Sequence, residues 1–226
     1  MNWEDECYLL SKKKFRENAN IINVFTPRKG KTSGVVYGGN SRKIRNYLQI
    51  SNKLFIFYNS KNENKFGYFK TELLEPIAPI FFNDKKRTTA LISLCSLLNL
   101  LLPESQPYKN IYYSFEKLLN NFKLENWIIL YIFFEINLIK ELGYDTNLNS
   151  FYTNQIKIDG IQKITIDGNS YDVPNLLISQ KIPPKINNIL VKKSLIFTRT
   201  IMMNKFFTPN NLLCPKSRIL LENYYN

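Results

Sequence analysis

The first 75 residues contain five short runs of apolar, β-branched and aromatic side chains, separated by polar and turn-forming positions. Such runs are typical of β-strands. They cover residues 8–11, 21–26, 33–37, 54–58 and 66–74. The tetrapeptide Pro27-Arg28-Lys29-Gly30 predicts a tight turn after the second strand, and the polar stretch 60–65 predicts the connection before the fifth. No helix is predicted among these strands, and an OB-fold, a partly open Greek-key barrel, is the economical way to close them.

From residue 85 onward, after prolines at 76 and 79, the apolar positions recur with the 3.6-residue period of helices. Three apolar stripes predict buried helices ending near residues 102, 122 and 142, and Gly143 is placed to cap the third. Alternation returns at 155–158 and 163–166, which predicts a small β-hairpin module at about 151–174. Two more helices are predicted, at about 187–207 and from 215. The predicted fold class is α+β: an OB-fold domain at 1–80, then a helical domain at 81–226 that carries the hairpin.

One acidic residue interrupts the most apolar of the predicted helices. Glu135 lies within the run 127–142, whose other positions are almost all apolar. A buried carboxylate is costly unless it is hydrogen-bonded or paired. We therefore expect Glu135 to have a structural partner or to face the surface, and we assign it no catalytic role.

Positive charge is concentrated near the N-terminus. The chain has 31 Lys and Arg against 18 Asp and Glu, a formal net charge of +13. Ten of the cations lie between residues 12 and 45, where Glu17 is the only acid. They form three clusters at strand ends or in the following turns, and antiparallel strands would bring these clusters towards one surface that suits a polyphosphate backbone. The alternative is that lysines at strand ends only protect sheet edges, in a chain rich in Lys, Asn and Ile throughout.

Aromatic residues near these clusters are candidates for stacking on bases, as in OB-folds that bind single strands. The candidates are Tyr37, Tyr47, Phe66 and Tyr68, although each taken singly is more often a packing residue. The Gly38-Gly39-Asn40-Ser41 turn is predicted to carry the third cluster on a flexible arm, and it lacks the G-K-[ST] ending of a nucleotide-binding loop. The predicted nucleic-acid-binding residues are Lys12, Lys14, Arg16, Arg28, Lys29, Lys31, Tyr37, Arg42, Lys43 and Arg45.

Several function classes are excluded or disfavoured by the residues present. The chain has no histidine, which excludes Ser-His-Asp and Cys-His catalysis and histidine metal ligands. Cys7, Cys95 and Cys214 have no C-x-x-C spacing and indicate buried thiols in a reducing compartment. The acidic, polar N-terminus does not resemble a signal peptide, and the longest apolar run is too short to cross a bilayer, so we expect a soluble, cytoplasmic protein. A metal-dependent nuclease is a weak alternative, because its candidate carboxylates show no recognisable spacing: Asp145, Asp159, Asp167 and Asp172.

Taken in order, several stretches resemble the RecO family of bacterial recombination mediators. At the N-terminus these are Leu-Leu-Ser at 9–11, Glu17, Val-Phe-Thr at 24–26, Gly30, Gly38 before the basic arm, and Leu-Gln at 48–49. The strongest local match is FEINLIKELGY at 134–144, which is similar to the family's F-E-L-x-L-L-x-x-L-G-[YF] helix end. Phe-Thr-Arg at 197–199 and Lys-Ser-Arg-Ile-Leu at 216–220 resemble its closing pattern. Many members carry a four-cysteine zinc module after the L-G-[YF] helix, but this chain has Phe151 at the first ligand position and no cysteine in 152–174, so no metal or other cofactor is expected.

The resemblance implies a non-enzymatic DNA repair protein of the bacterial cytoplasm, associated with the nucleoid. It would bind single- and double-stranded DNA, anneal complementary strands, and work with RecR to load RecA onto DNA coated by the single-strand-binding protein. A pocket on the helical domain would accept the acidic tail of that protein, and its candidate residues are Arg199, Met202, Lys205 and Phe206. They could equally be core residues. The alternative function is an OB-fold interaction scaffold that binds RNA or a protein partner.

Overall fold

The computed structural model describes residues 2–60, 66–153 and 157–226. Its five N-terminal strands are β1 (Asn2–Arg16), β2 (Ala19–Thr26), β3 (Gly30–Tyr37), β4 (Lys53–Asn59) and β5 (Tyr68–Glu75). They close into a barrel in the order β1-β2-β3-β5-β4. Neighbouring strands are antiparallel except β3 and β5, which run parallel where Val35 meets Tyr68. The predicted five-stranded OB-type barrel is therefore confirmed, and of the predicted connection at 60–65, residues 61–65 lie outside the described part of the chain.

The long first strand allows the barrel to close. The N-terminal half of β1 pairs with β4, from Asn2 opposite Asn59 to Tyr8 opposite Lys53. Its C-terminal half pairs with β2, with register shifts that mark irregularities in the strand. Alternate side chains of the strands fill the interior, and the buried cluster consists of Cys7, Leu9, Ile22, Val24, Val36, Leu48, Leu54, Ile56 and Phe69.

A short helix, α1 (Arg42–Tyr47), lies between β3 and β4. The prediction that this part of the chain contains no helix was therefore wrong. The barrel is followed by α2 (Ile77–Ile80) and α3 (Lys85–Leu101). Asp84 caps α3 by accepting a hydrogen bond from the backbone N–H of Arg87 at 2.9 Å.

The rest of the described chain is mostly helical. Its helices are α4 (Lys109–Asn120), α5 (Trp127–Glu141), a 3₁₀ helix (Leu148–Phe151), α6 (Asn175–Ser179), α7 (Asn188–Met202), a π-helical turn (Met203–Phe207) and α8 (Lys216–Asn223). The chain divides into two compact units, 1–113 with 215–218 and 114–214 with 219–226. The domain boundary predicted after residue 80 remains a prediction.

The β-hairpin predicted at about 151–174 is present in the second unit. Strands β6 (Ile161–Ile166) and β7 (Asn169–Pro174) pair around Asp167 and Gly168, which both have positive φ. An Asp-Gly dipeptide is a strong signal for a two-residue hairpin turn, and it governs the pairing here. Of the alternating run predicted at 155–158, residues 155–156 lie outside the described ranges, and residues 157–158 are not part of a strand.

The acidic residue within the most apolar helix, α5, has the hydrogen-bond partner that the sequence leads us to expect. Glu135 is fully buried and accepts a hydrogen bond from the hydroxyl of Thr198 on α7. At the end of α5, Gly143 has φ +97°, and Tyr144 donates its backbone N–H to the carbonyl of Ile139. This is the predicted glycine cap.

Within the described ranges, none of the helices combines the length and the apolarity that a bilayer span requires. Over the same residues, no three Cys, Asp or Glu side chains are grouped so that they could hold a metal ion. Three of the four carboxylates considered for a nuclease have lysine partners instead: Asp145 with Lys140, Asp167 with Lys205, and Asp172 with Lys193.

Candidate nucleic-acid interface

Hydrogen bonds bring two of the three basic clusters to one end of the barrel. The backbone N–H of Gly38 donates to the carbonyl of Asn18 at 2.8 Å. The Asn40 amide donates to the carbonyl of Glu17 at 2.8 Å and accepts from the Asn20 amide at 3.1 Å. The loop before α1 is thus tied to the turn between β1 and β2. We call the surface formed by the cations on either side of this tie the basic end, and its members are Lys12, Lys13, Lys14, Arg16, Arg42, Lys43 and Arg45.

The third cluster is carried by α1, not by a flexible arm. Ser41 caps the helix, because its hydroxyl accepts a hydrogen bond from the backbone N–H of Ile44 at 3.4 Å. Ile44 and Tyr47 pack against the barrel core, and the Tyr47 hydroxyl donates to the carbonyl of Thr71 at 2.7 Å. This packing fixes one face of α1 and leaves the three cations of the helix exposed. Tyr47 is therefore a packing residue and not a stacking platform.

The basic end carries charge that the described part of the protein does not neutralise. All seven cations are exposed, and among the described residues none of them has a carboxylate oxygen within 4.0 Å. Lys12 has a backbone partner, since its Nζ donates to the carbonyl of Leu48 at 2.7 Å. Partial burial, followed by the neighbouring charge of Arg45, lowers the pKa of Lys12. Unpaired like charges gathered on one surface attract an anion that can lie across them.

Exposed aromatic rings lie beside these cations. The strand register sets Arg16 opposite Ala19 and Ala19 opposite Tyr37, so Tyr37 is next to the basic end. Tyr37 is 60% exposed, and its ring centroid is 6.1 Å from that of the half-exposed Tyr68. Phe66, two residues before Tyr68, is also exposed. Rings in such positions can stack on bases of any identity.

Phe15 is an aromatic residue of this surface that sequence reasoning missed. Its side chain is exposed, and the guanidinium of Arg16 lies 5.2 Å from its ring centroid. In a regular strand one of two consecutive residues faces the interior, which would bury either Phe15 or its neighbour. The irregular register between Lys14 and Arg16 removes this constraint, and it depends on pairing with β2 that the local sequence does not reveal.

The second predicted cluster lies at the other end of the β2–β3 hairpin. The register runs from Ala19 opposite Tyr37 to Thr26 opposite Gly30, which is seven residue steps. At about 3.4 Å per residue this is about 24 Å. The second cluster therefore lies away from the basic end along the hairpin, and the assignment of Arg28, Lys29 and Lys31 to nucleic-acid binding stays a prediction.

Two of these three cations already have protein partners. Arg28 forms an ion pair with the buried Asp5 at 3.1 Å and donates to the carbonyl of Glu4 at 2.7 Å, and its bond to Asp5 raises the pKa of Arg28. The Lys31 side chain is only 12% exposed and its Nζ donates to the carbonyl of Asn99 at 2.8 Å. Burial lowers the pKa of Lys31. These contacts hold the hairpin turn in place, and they leave the half-buried Lys29 as the member of the cluster with no carboxylate oxygen within 4.0 Å among the described residues.

The four residues predicted for a partner tail have partners or packing within the second unit. Met202 is completely buried, as the core interpretation requires, and Phe206 is half-buried. Arg199 donates two hydrogen bonds to the carboxylate of Glu222, at 2.8 and 3.2 Å. Lys205 forms an ion pair with Asp167. The assignment of these residues to a partner tail stays a prediction, and both of its cations carry carboxylate partners.

Comparison with known proteins places this chain in a family. The family model described as "Recombination protein O N terminal" matches residues 1–77, and "Recombination protein O C terminal" matches residues 83–159. Similar curated proteins are each named "DNA repair protein RecO". The one from Roseobacter denitrificans is 34% identical over 64% of this chain and 60% of its own length. The one from a Ruegeria species is 31% identical over 66% and 63%, and the one from a Wolbachia of Drosophila simulans is 30% identical over 70% and 65%.

The matched region thus spans less than two thirds of the length of these relatives. Both family models nevertheless describe the same family, they match in the order of its two parts, and together they cover more than half of the chain. The barrel lies within the first match, and α3, α4 and α5 lie within the second. The chain belongs to the RecO family of DNA repair and recombination proteins.

Proposed function

We propose that this protein is a non-enzymatic mediator of DNA repair and recombination that binds single- and double-stranded DNA through the basic end and anneals complementary strands. The observation that carries the proposal is the group of seven cations at one end of the barrel, which have no carboxylate partner among the described residues, next to exposed aromatic rings. Membership of the RecO family supports the same function.

The physical basis of binding is the release of counterions. Each cation that contacts a phosphate displaces condensed ions from the nucleic acid, so affinity falls steeply as salt rises and depends little on sequence. Two strands bound at one cationic surface repel each other less than they do in solution, which favours their pairing. The exposed Tyr37 and Tyr68 would hold unpaired bases by stacking until the complementary strand arrives.

In the cell this activity would serve strand exchange. We propose that the protein acts with RecR to load RecA onto DNA coated by the single-strand-binding protein, as the family assignment implies. No reaction needs to be catalysed, because displacement and annealing depend only on the relative affinities for the strands involved.

The test is a binding and annealing assay with the purified chain. Fluorescence anisotropy of a labelled single strand and of a labelled duplex should give affinities that fall steeply between about 50 and 200 mM salt. Two complementary strands, one with a donor and one with an acceptor dye, should pair faster with the protein than without it. Binding that is absent or insensitive to salt would contradict the proposal.

A further inference from the structure

An open groove borders the basic end within the first unit. It has a volume of about 540 Å³ and lies between the C-terminal end of α1, the segment after it, and the start of α3. We call it the α1 groove. The residues that matter for its chemistry are Lys12, Arg45, Asn46, Ser51, Phe82 and Ile92.

The apolar side of the α1 groove is unusually exposed. Phe82 has 80% of its surface exposed and Ile92 has 40%. An aromatic ring left in water loses the stabilisation that burial would provide. Because Phe82 lies beside cations of the basic end, its exposed face is placed to receive a flat apolar group that has a negative charge next to it.

A polar group of the groove lacks a partner. Ser51 is completely buried, and its hydroxyl has no hydrogen-bond partner among the described residues. Its φ is +77°, a left-handed backbone conformation that is strained for a residue other than glycine. The backbone N–H of Ser51 donates to the carbonyl of Leu9 at 2.8 Å, which holds this conformation in place. Buried hydroxyls are normally bonded, so the unpartnered hydroxyl of a residue that lines the groove is a position where a ligand could supply the missing bond.

The cations at the rim define the remaining part of the ligand. Lys12 and Arg45 both line the groove and both belong to the basic end. Lys12 uses one of its three N–H donors on the carbonyl of Leu48, which leaves two for a phosphate. The amide of Asn46 adds a donor and an acceptor next to them.

We propose that the α1 groove takes one unstacked nucleotide of a single strand that lies across the basic end. This inference rests on the proposed function and names the part of the DNA that the groove selects. The phosphate would lie on Lys12 and Arg45, the ring of the base on Phe82, and the polar edge of the base near Ser51. In a duplex the bases are paired and stacked, so the groove binds single strands only.

A nucleotide is favoured over an acidic peptide because the cations of the groove are continuous with the surface on which the DNA backbone would lie. A strand that follows the basic end passes the rim of the groove without leaving its cations. The base then needs only to turn aside from its neighbours, which is easy in a single strand and costly in a duplex.

The test compares single-strand and duplex affinities for variants of the groove. Phe82→Ala should weaken binding of a single strand by about tenfold or more, the effect expected for loss of one base–aromatic stack, and should change duplex affinity by less than about twofold. Ser51→Gly suits the left-handed backbone and removes the hydroxymethyl side chain, so it should preserve the fold and still weaken single-strand binding. Ile80→Ala is the matched control, because Ile80 is also exposed and lies two residues from Phe82 but does not line the groove.

Each outcome separates this inference from the proposed function. If the wild-type protein binds no DNA, the proposed function fails and the inference fails with it. If the wild type binds but Phe82→Ala leaves single-strand affinity unchanged, or weakens both forms equally, only the inference is overturned. The same holds if Phe82→Ala abolishes capture of an acidic, apolar peptide while leaving DNA binding intact, because the groove would then serve a protein partner.

Discussion

The sharpest prediction compares two lysines that carry the same charge at opposite ends of the β2–β3 hairpin. Lys43 is on α1 at the basic end, and Lys29 is in the turn at the far end of the β2–β3 hairpin, whose paired part is about 24 Å long. Replacing either by Gln removes one unit of net charge from the chain. If DNA lies across the basic end, only Lys43→Gln removes a phosphate contact.

The size of the effect follows from the number of contacts. Seven phosphate contacts would give a slope of log affinity against log salt of about −4.9 for a single strand, at about 0.7 per contact. Lys43→Gln should make this slope shallower by about 0.7. If the two proteins bind equally at 1 M salt, where ionic contacts contribute little, the variant should bind about fivefold more weakly than the wild type at 0.1 M salt. The double variant Arg42→Gln/Lys43→Gln should change the slope by about 1.4 and the affinity by about 25-fold. Lys29→Gln should leave both within the error of the measurement.

The assay is anisotropy of a labelled single strand of about 16 nucleotides, the upper site size of an OB-fold, measured across the salt series. Circular dichroism of each variant checks that the fold is retained. Equal slope changes for Lys43→Gln and Lys29→Gln would mean that binding follows net charge and not the basic end. No change for the double variant would remove α1 from the interface.

Three further predictions concern stability and reactivity. Thr198→Val should lower the free energy of unfolding, measured by urea titration, by about 1.5–3 kcal/mol, because it removes the hydroxyl that donates to the buried carboxylate of Glu135. Thr200→Val is the control: it loses only a hydrogen bond to a helix carbonyl and should lower the same free energy by less than about 0.5 kcal/mol. Burial raises the pKa of Cys95 to about 12, so its thiol should resist alkylation at pH 8 while the half-buried Cys214 reacts. Because the unfolded chain loses the Cys95 proton at lower pH than the folded protein does, the free energy of unfolding should fall as pH rises above the ordinary thiol pKa of 9.0. Hydrogen bonds from Lys205 and Tyr144 lower the pKa of Asp167, so Asp167→Asn should speed amide exchange in β6 and β7 at neutral pH, and the wild-type hairpin should loosen in the same way only as pH falls below the ordinary carboxyl value of 3.8.

Features set by short-range patterns could be predicted from the sequence. The five strands of the barrel follow from alternation between turn signals, and the glycine cap after α5 follows from Gly143 at the end of an apolar stripe. The need of Glu135 for a partner follows from the apolar residues around it. The hairpin of β6 and β7 was also predictable, because alternation at 163–166 leads into Asp167-Gly168, a strong signal for a two-residue turn.

Features set by contacts between distant residues could not be predicted in this way. Arg28 and Asp5 are 23 positions apart, and nothing near either residue indicates that they pair. The burial of Lys31 depends on Asn99, which is 68 positions away. Helix α1 is too short to show a helical period, and it is fixed by the packing of its apolar residues on the barrel.

The cations that have partners within the fold differ from those of the basic end in their capacity to bind phosphate. A lysine or arginine can bind a phosphate only if the fold has not already given it a carboxylate or buried its charge, because exchanging one partner for another gains little free energy. By this criterion Arg28 and Lys31 are parts of the scaffold, and so are Arg199 and Lys205 in the second unit, although all four belong to the same net charge of +13. The salt dependence of DNA binding should therefore reflect the seven cations of the basic end and not the charge of the whole chain.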